Sequence, residues 1–201
     1  AGQLSSGAYV GDENWETYER EVLLFGYKLD HKINNTWSFL QNTRVTIAEA
    51  YQENTYNLGL ESDISSYLTS TYGNDYGFDN SDTSTLYRNV YSTDESSKGI
   101  NIDNQLSGLF DIGESEHNAL LGIDYLYLTS DVIYKDTGLY VKGLGDGYGL
   151  LTKSDFDAYS IDIFNPDNSS IDTNSTLNTS VDATTKKEQV GFYLQDQIRL
   201  G

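Results

Sequence analysis

Between Gly26 and Thr55 the chain reads GYKLDHKINNTWSFLQNTRVTIAEAYQENT, two runs of alternating residues that meet at a pair of asparagines. Alternation of period two places one stripe of side chains on one face of a strand. Apolar residues on so long a stripe need a covering layer, which is either a second layer of protein or lipid. The same pattern recurs in five blocks, at about 18–33, 36–56, 85–112, 117–134 and 188–200. In the first, Leu23, Phe25, Tyr27, Leu29 and Ile33 oppose Arg20, Lys28, Asp30 and Lys32. In the fourth, Ala119, Leu121, Ile123, Tyr125 and Tyr127 share a face, and in the last Val190, Phe192, Leu194, Ile198 and Leu200 do. Asp196 falls on that apolar face without an evident reason.

The connections between blocks decide how such strands are used. Asn34-Asn35 and Gly113 to Glu116 make tight turns, and the asparagine pair favours positive φ. The stretches 1–17, 57–84 and 135–187 are long loops. Loops of that length count against an element assignment in a compact soluble domain. Short turns alternating strictly with long loops are the habit of outer-membrane barrels, whose periplasmic turns are short and extracellular loops long. A β-sandwich fits the alternation within each strand, and the order of the loops favours the barrel. No run of 18 apolar residues is present, so the chain encodes no membrane-spanning helix. The opening residues carry no basic segment leading into an apolar one, so no secretory signal is expected there. Trp37 and Phe39, just past the first turn, sit where an aromatic girdle belongs.

Charge and composition remove several functions. A formal charge of −19 offers no basic footprint for nucleic acid. The absence of cysteine removes disulfides, thiol chemistry and cysteine-ligated zinc. Two histidines, His31 and His117, each beside a tight turn, are read as interfacial side chains rather than a metal or catalytic pair. The segment GLGDGYG at 143–149 misses the spacing of a dinucleotide loop. Asp155 and Asp157 in DFD are read as solvated loop carboxylates, as against a divalent-cation site. The triplets at Asn168, Asn174 and Asn178 are chance matches in a loop rich in serine, threonine and asparagine.

Four segments, in order, carry a family resemblance: GYKLDHKINNTWSFLQNTR (26–44), NIDNQLSGLFDIGESEHNALLGIDY (101–125), DIFNPD (162–167) and QVGFYLQDQIRLG (189–201). Together they resemble the barrel of TonB-dependent outer-membrane ferric-siderophore receptors of the ferrichrome-hydroxamate type. The resemblance implies an all-β fold, an antiparallel transmembrane β-barrel of 22 strands of which this chain supplies about five. The plug domain and the energy-coupling box would lie elsewhere in the parent protein, and the chain would be an internal fragment. The implied function is uptake of an iron(III)–siderophore complex, energised through the TonB complex. That makes the parent a transporter in the bacterial outer membrane and not an enzyme, with no catalytic residue, resident metal or cofactor. Its implied partners are the siderophore, the TonB complex, the bilayer and lipopolysaccharide, with the receptor itself a monomer. The rival readings are a receptor for another ligand such as a cobalamin, a passive porin, and a surface β-sandwich adhesin.

Under this resemblance, aromatic residues at the outer ends of the strands line the ligand vestibule, where a flat apolar face and a hydrogen-bonding tip suit an organic chelate. Tyr56, Tyr134, Tyr72 and Tyr76 are the candidates, with Tyr67 and Phe78 nearby in sequence. Tyr56 matches a vestibule aromatic of the family, while Leu58 stands where the family has a second. Arg44, Lys28, Asp103 and Asp124 fall on the polar face and are expected to point toward the lumen and plug.

Overall fold

The computed structural model describes Leu4, residues 6–139 and residues 152–200; the GLGDGYG segment lies outside them. One sheet is built from β1 (Thr17–Lys32), β2 (Trp37–Leu60), β3 (Thr85–Ile112), β4 (Ser115–Asp136), β5 (Ser160–Asp162) and β6 (Asn178–Leu200). The five long strands are ordered β1-β2-β3-β4-β6, each beside its neighbour in sequence. The short β5 pairs antiparallel with the start of β3, Thr85 opposite Asp162. Among the described residues, two helices interrupt the connections, α1 (Glu61–Tyr72) and α2 (Lys153–Asp157).

All five alternating blocks are strands. The differences lie at their outer limits: β2 runs on to Leu60, β6 begins at Asn178 well ahead of Glu188, and the 57–84 loop contains a helix. The reason for α1 is local. Ile64, Leu68 and Tyr72 recur every fourth residue, and Glu61 and Asp63 place negative charge in the first turn, where the helix dipole favours it. Gly73, at φ 76°, ends the helix by donating its N–H to the Thr69 carbonyl.

The turn at Asn34-Asn35 also differs from expectation. Tyr76 is the one non-glycine residue with positive φ among those described, so neither asparagine is left-handed. The Asn34 side chain closes the turn instead, its Oδ1 accepting the N–H groups of Thr36 and Trp37, both at 2.9 Å. Gly113, at φ 64°, serves the β3–β4 turn.

The chain divides into two compact units, the first made of residues 1–19, 50–94 and 133–182 and the second of 20–49, 95–132 and 183–201. Every buried apolar residue described belongs to the first. Ile64, Leu68, Phe78, Tyr87, Leu139 and Phe156 form one cluster there, and Trp15, Val90 and Ile171 a second. Between β3 and the loops lies Arg88, wholly buried with Asp12. Its guanidinium donates to the carbonyls of Val10, Gly11 and Tyr159 and to Ser170 Oγ. Asp12 in turn accepts the backbone N–H groups of Asn14 and Ile171. Burial pulls the Arg88 pKa down, against the opposing pull of Asp12.

The second unit has the reverse economy. Its stripe stands open: Phe25, Leu121, Phe192, Leu194 and Ile198 are all exposed, Phe192 at 78%. Large side chains cross between strands over glycines. A Cβ on Gly108 would meet the Trp37 ring at 2.6 Å, and one on Gly122 would meet the Tyr193 ring at 2.0 Å. Trp37 and Phe110 lie with centroids 5.8 Å apart, and Phe110 stacks on His117.

Candidate ligand-binding site

Three adjacent strands of the first unit each contribute one tyrosine to a cluster. Tyr56 of β2 meets Tyr91 of β3 at 5.8 Å between centroids, and Tyr91 stacks on Tyr134 of β4 at 5.4 Å and 23°. Beneath them lies Asn89, fully buried. Its Nδ2 donates to Tyr56 Oη at 2.6 Å and to the Leu139 carbonyl at 3.2 Å. Its Oδ1 accepts the Val90 N–H at 2.8 Å and the Thr137 hydroxyl. Tyr56 itself remains half-buried. Burial raises its pKa, while hydrogen bonds from Asn89 and Tyr134 pull the other way, so the phenol stays protonated at neutral pH. The site thus has an aromatic surface with hydroxyl tips, anchored from below by one amide.

Of the residues singled out in the sequence, the structure brings Tyr56 and Tyr134 together, joined by Tyr91 and Asn89, which the sequence analysis did not name. The signal was present in YRNVY at 87–91, where Tyr87, Asn89 and Tyr91 alternate along one strand. Tyr72 and Tyr76 are elsewhere. They pack, with Leu58, against the cluster of Ile64, Leu68, Phe78 and Tyr87. Among the described residues no ring contact joins them to the tyrosine trio. Tyr67, edge-on to Tyr72, stays exposed.

A polar knot braces that cluster. Tyr87 donates its hydroxyl toward Glu61 and Asp157, at 3.1 and 2.8 Å. Burial, and then these carboxylates, push the Tyr87 pKa far above the usual phenol range. Lys153 pairs with Asp157 at 2.8 Å and Glu61 at 3.5 Å and lies over the rings of Phe78 and Tyr87. The two aspartates of DFD therefore have separate duties. Asp157 belongs to this knot, and Asp155 caps α2 by accepting the Thr152 N–H, which lowers its pKa. No cluster of three His, Asp or Glu residues able to hold a metal exists among the described residues.

In the second unit Lys28, Arg44 and Asp103 line one depression with Asn42 and Asn101. Asp103 is held from two sides, by Tyr193 Oη at 2.6 Å and Gln105 Nε2 at 2.7 Å. Asp124 lies against the backbone of Gly191, where an added Cβ would strike its Oδ2 at 2.2 Å. Asp196 has an explanation as well: its carboxylate pairs with His117 Nδ1 at 2.7 Å, two polar groups satisfying each other on an apolar face. His31 is exposed on β1. Of the asparagine triplets, Asn168 binds the Tyr9 and Gly11 carbonyls and Asn174 binds Asp172, while Asn178 opens β6.

No family model matches the chain. The ferrioxamine B receptor of Salmonella typhimurium (strain LT2) is 27% identical over 197 residues, covering 98% of this chain and 22% of that protein. The ferrioxamine receptor of Yersinia enterocolitica is 28% identical over 203 residues, 98% of this chain and 23% of its own length. The ferrichrome outer membrane transporter/phage receptor of Escherichia coli K12 is 26% identical over 190 residues, 91% of this chain and 22% of its own. The chain therefore spans between a fifth and a quarter of these relatives. Among solved structures, the siderophore receptor PiuA from Acinetobacter baumannii superposes over 100% of this chain and 26% of that one, with a TM-score of 0.64 at 14% identity. In fold the chain is an open antiparallel β-sheet that matches part of the β-barrel of the siderophore receptor PiuA, and along nearly its whole length its sequence is similar to ferrioxamine receptors and to the ferrichrome outer membrane transporter/phage receptor.

Proposed function

We propose that the parent protein is an outer-membrane receptor that imports an iron(III)–siderophore complex, energised through TonB, and that the Tyr56–Tyr91–Tyr134 cluster forms part of its outer vestibule. The observation that carries this reading is the cluster itself: three tyrosines from three neighbouring strands, set on a buried amide, in a chain similar to ferrioxamine and ferrichrome receptors. Binding and gated passage require no covalent chemistry. Iron and its chelator are cargo, and the tyrosines supply stacking area and hydroxyl groups. Lys28, Arg44, Asp103 and Asp124 would face the lumen, where charge costs little beside water or plug. Replacing Tyr56 by alanine removes one anchored aromatic and is expected to weaken ferrioxamine B binding by full-length receptor by about 1–3 kcal/mol. The check is a titration on protein whose folding is confirmed by heat-resistant migration. An unchanged dissociation constant would return Tyr56 to a place among lipid headgroups.

The same reading sets the orientation. Asn34-Asn35 and Gly113 to Glu116 face the periplasm, with residues 57–84 and 135–187 outside. Single cysteines at Asn80 and Asn35 in the full receptor, treated with an impermeant thiol reagent on intact cells, should label at the first position alone. Labelling at Asn35 only would reverse the topology. Charge sets a preference among ligands: residues 57–84 hold five acids and no base, so an anionic rim favours neutral or cationic complexes. A hydroxamate chelate should be taken up ahead of a triply anionic catecholate, and the opposite order in a competition assay would overturn that preference.

A further inference from the structure

A row of polar side chains crosses the apolar stripe of the second unit. Gln41 stands on the same face of β2 as Phe39 and Val45, and Asn104 on the same face of β3 as Ile102 and Leu106. The Tyr27 hydroxyl donates to Gln41 Oε1, and Gln41 Nε2 donates to Asn104 Oδ1 at 2.6 Å. There the row stops. Among the described residues nothing accepts from Asn104 Nδ2, and Asn104 borders a depression lined by Phe39, Leu106, Leu121, Ile123 and Phe192. Flipping either amide would move the loose end without removing it, because each amide carries two N–H bonds and one carbonyl.

Hydrocarbon tails offer neither donor nor acceptor, so a lipid neighbour leaves these groups unmet at a cost. Donors and acceptors together make an amide row complementary to itself. A two-fold axis through such a row sets each residue against its own kind. Between membrane-spanning segments, amide side chains hydrogen-bond across the contact and help to hold it. We infer that this row is the centre of a contact between two copies of the receptor, wall against wall. Gln41 and Asn104 of the two copies pair across the axis, and Phe39, Leu106 and Leu121 pack around them. The contact departs from the monomer that the family resemblance implies, and it rests on the stripe facing lipid.

The test is energy transfer between full-length receptors, one pool carrying a donor dye and the other an acceptor. The pools are refolded together into phosphatidylcholine vesicles over a series of protein-to-lipid ratios. At low density, transfer should exceed that of random encounter. The double variant Gln41→Leu with Asn104→Leu should need about ten- to hundredfold more protein per lipid for the same transfer, the loss of one neutral hydrogen bond on each side of the axis. Asn42→Leu, on the opposite face of β2, should change nothing. Folding of each variant is read from heat-resistant migration. Random-level transfer by the unmodified receptor, or equal transfer by the folded double variant, would overturn the inference. Should the double variant not fold, Ile102→Cys in the otherwise unaltered receptor decides: mild oxidation gives disulfide-linked pairs if the contact exists and monomers if it does not. The proposed function is read separately, as ferrioxamine B uptake, and a receptor that imports it as a monomer would sink the contact alone.

Discussion

Asp12→Ala is expected to destabilise the first unit by about 3–5 kcal/mol, because it strands the Arg88 guanidinium as an uncompensated buried charge. Both side chains are fully buried. The damage spreads through what they hold: Asp12 loses the Asn14 and Ile171 N–H groups, and Arg88 loses the anion that balances it beside Val10, Gly11, Tyr159 and Ser170. The measurement is hydrogen exchange on full-length receptor. Amides around 86–92 should exchange faster by about two to three and a half powers of ten, the equivalent of about 3–5 kcal/mol. Those around 118–130, in the second unit, should keep their rates. The double change Asp12→Leu with Arg88→Met, which removes both charges, should recover much of the loss. If Asp12→Ala leaves the 86–92 amides protected, the buried pair contributes nothing.

A second substitution separates water from lipid as the neighbour of the apolar stripe. Leu121 lies on that stripe, 53% exposed. Were its neighbour water, an arginine there would be among the mildest of changes, within about half a kilocalorie per mole. On a lipid-facing strand near mid-bilayer it costs about 2–4 kcal/mol. Leu121→Arg should therefore lower the denaturant midpoint of the full-length receptor refolded into vesicles by that equivalent. Leu120→Arg, one residue along and on the opposite face, should lower it far less. Equal tolerance of the two would remove the stripe from the membrane.

The strands were legible in the sequence because period-two alternation is a property of each segment alone. Leu121 and Ile123 face one way whatever β6 does. What escaped depended on partners far along the chain. Asn178 to Lys187 is too polar to read as a strand, and it pairs because it continues the path beside β4; the Ser180 hydroxyl reaches Asp136 and that of Thr184 reaches Asp131. Helix α1 was hidden by its serines and threonines, which mask the spacing of Ile64, Leu68 and Tyr72. Of the site, the aromatic type of Tyr56 and Tyr134 could be read, and so could their places at strand ends. That Tyr91 would stack between them, and that Tyr72 and Tyr76 would instead close over a helix, depends on how loops fold back, which no local period encodes. Asp196 made sense only once His117, 79 residues earlier, lay beside it.

The glycines at 108 and 122 bear on how such a wall is put together. Each is a notch cut to receive a ring from the neighbouring strand. A strand that slides by one residue turns its whole stripe to the wrong side and is rejected by the membrane. A slide of two keeps the faces correct and escapes that check. It would, however, bring Leu106 or Phe110 under Trp37, and Leu120 or Asp124 under Tyr193, where the rings now find bare backbone. The notches thus proofread the slip that hydrophobicity cannot detect, and a bulky residue at either one should trap the wall half-assembled, as a mis-registered sheet awaiting proteolysis.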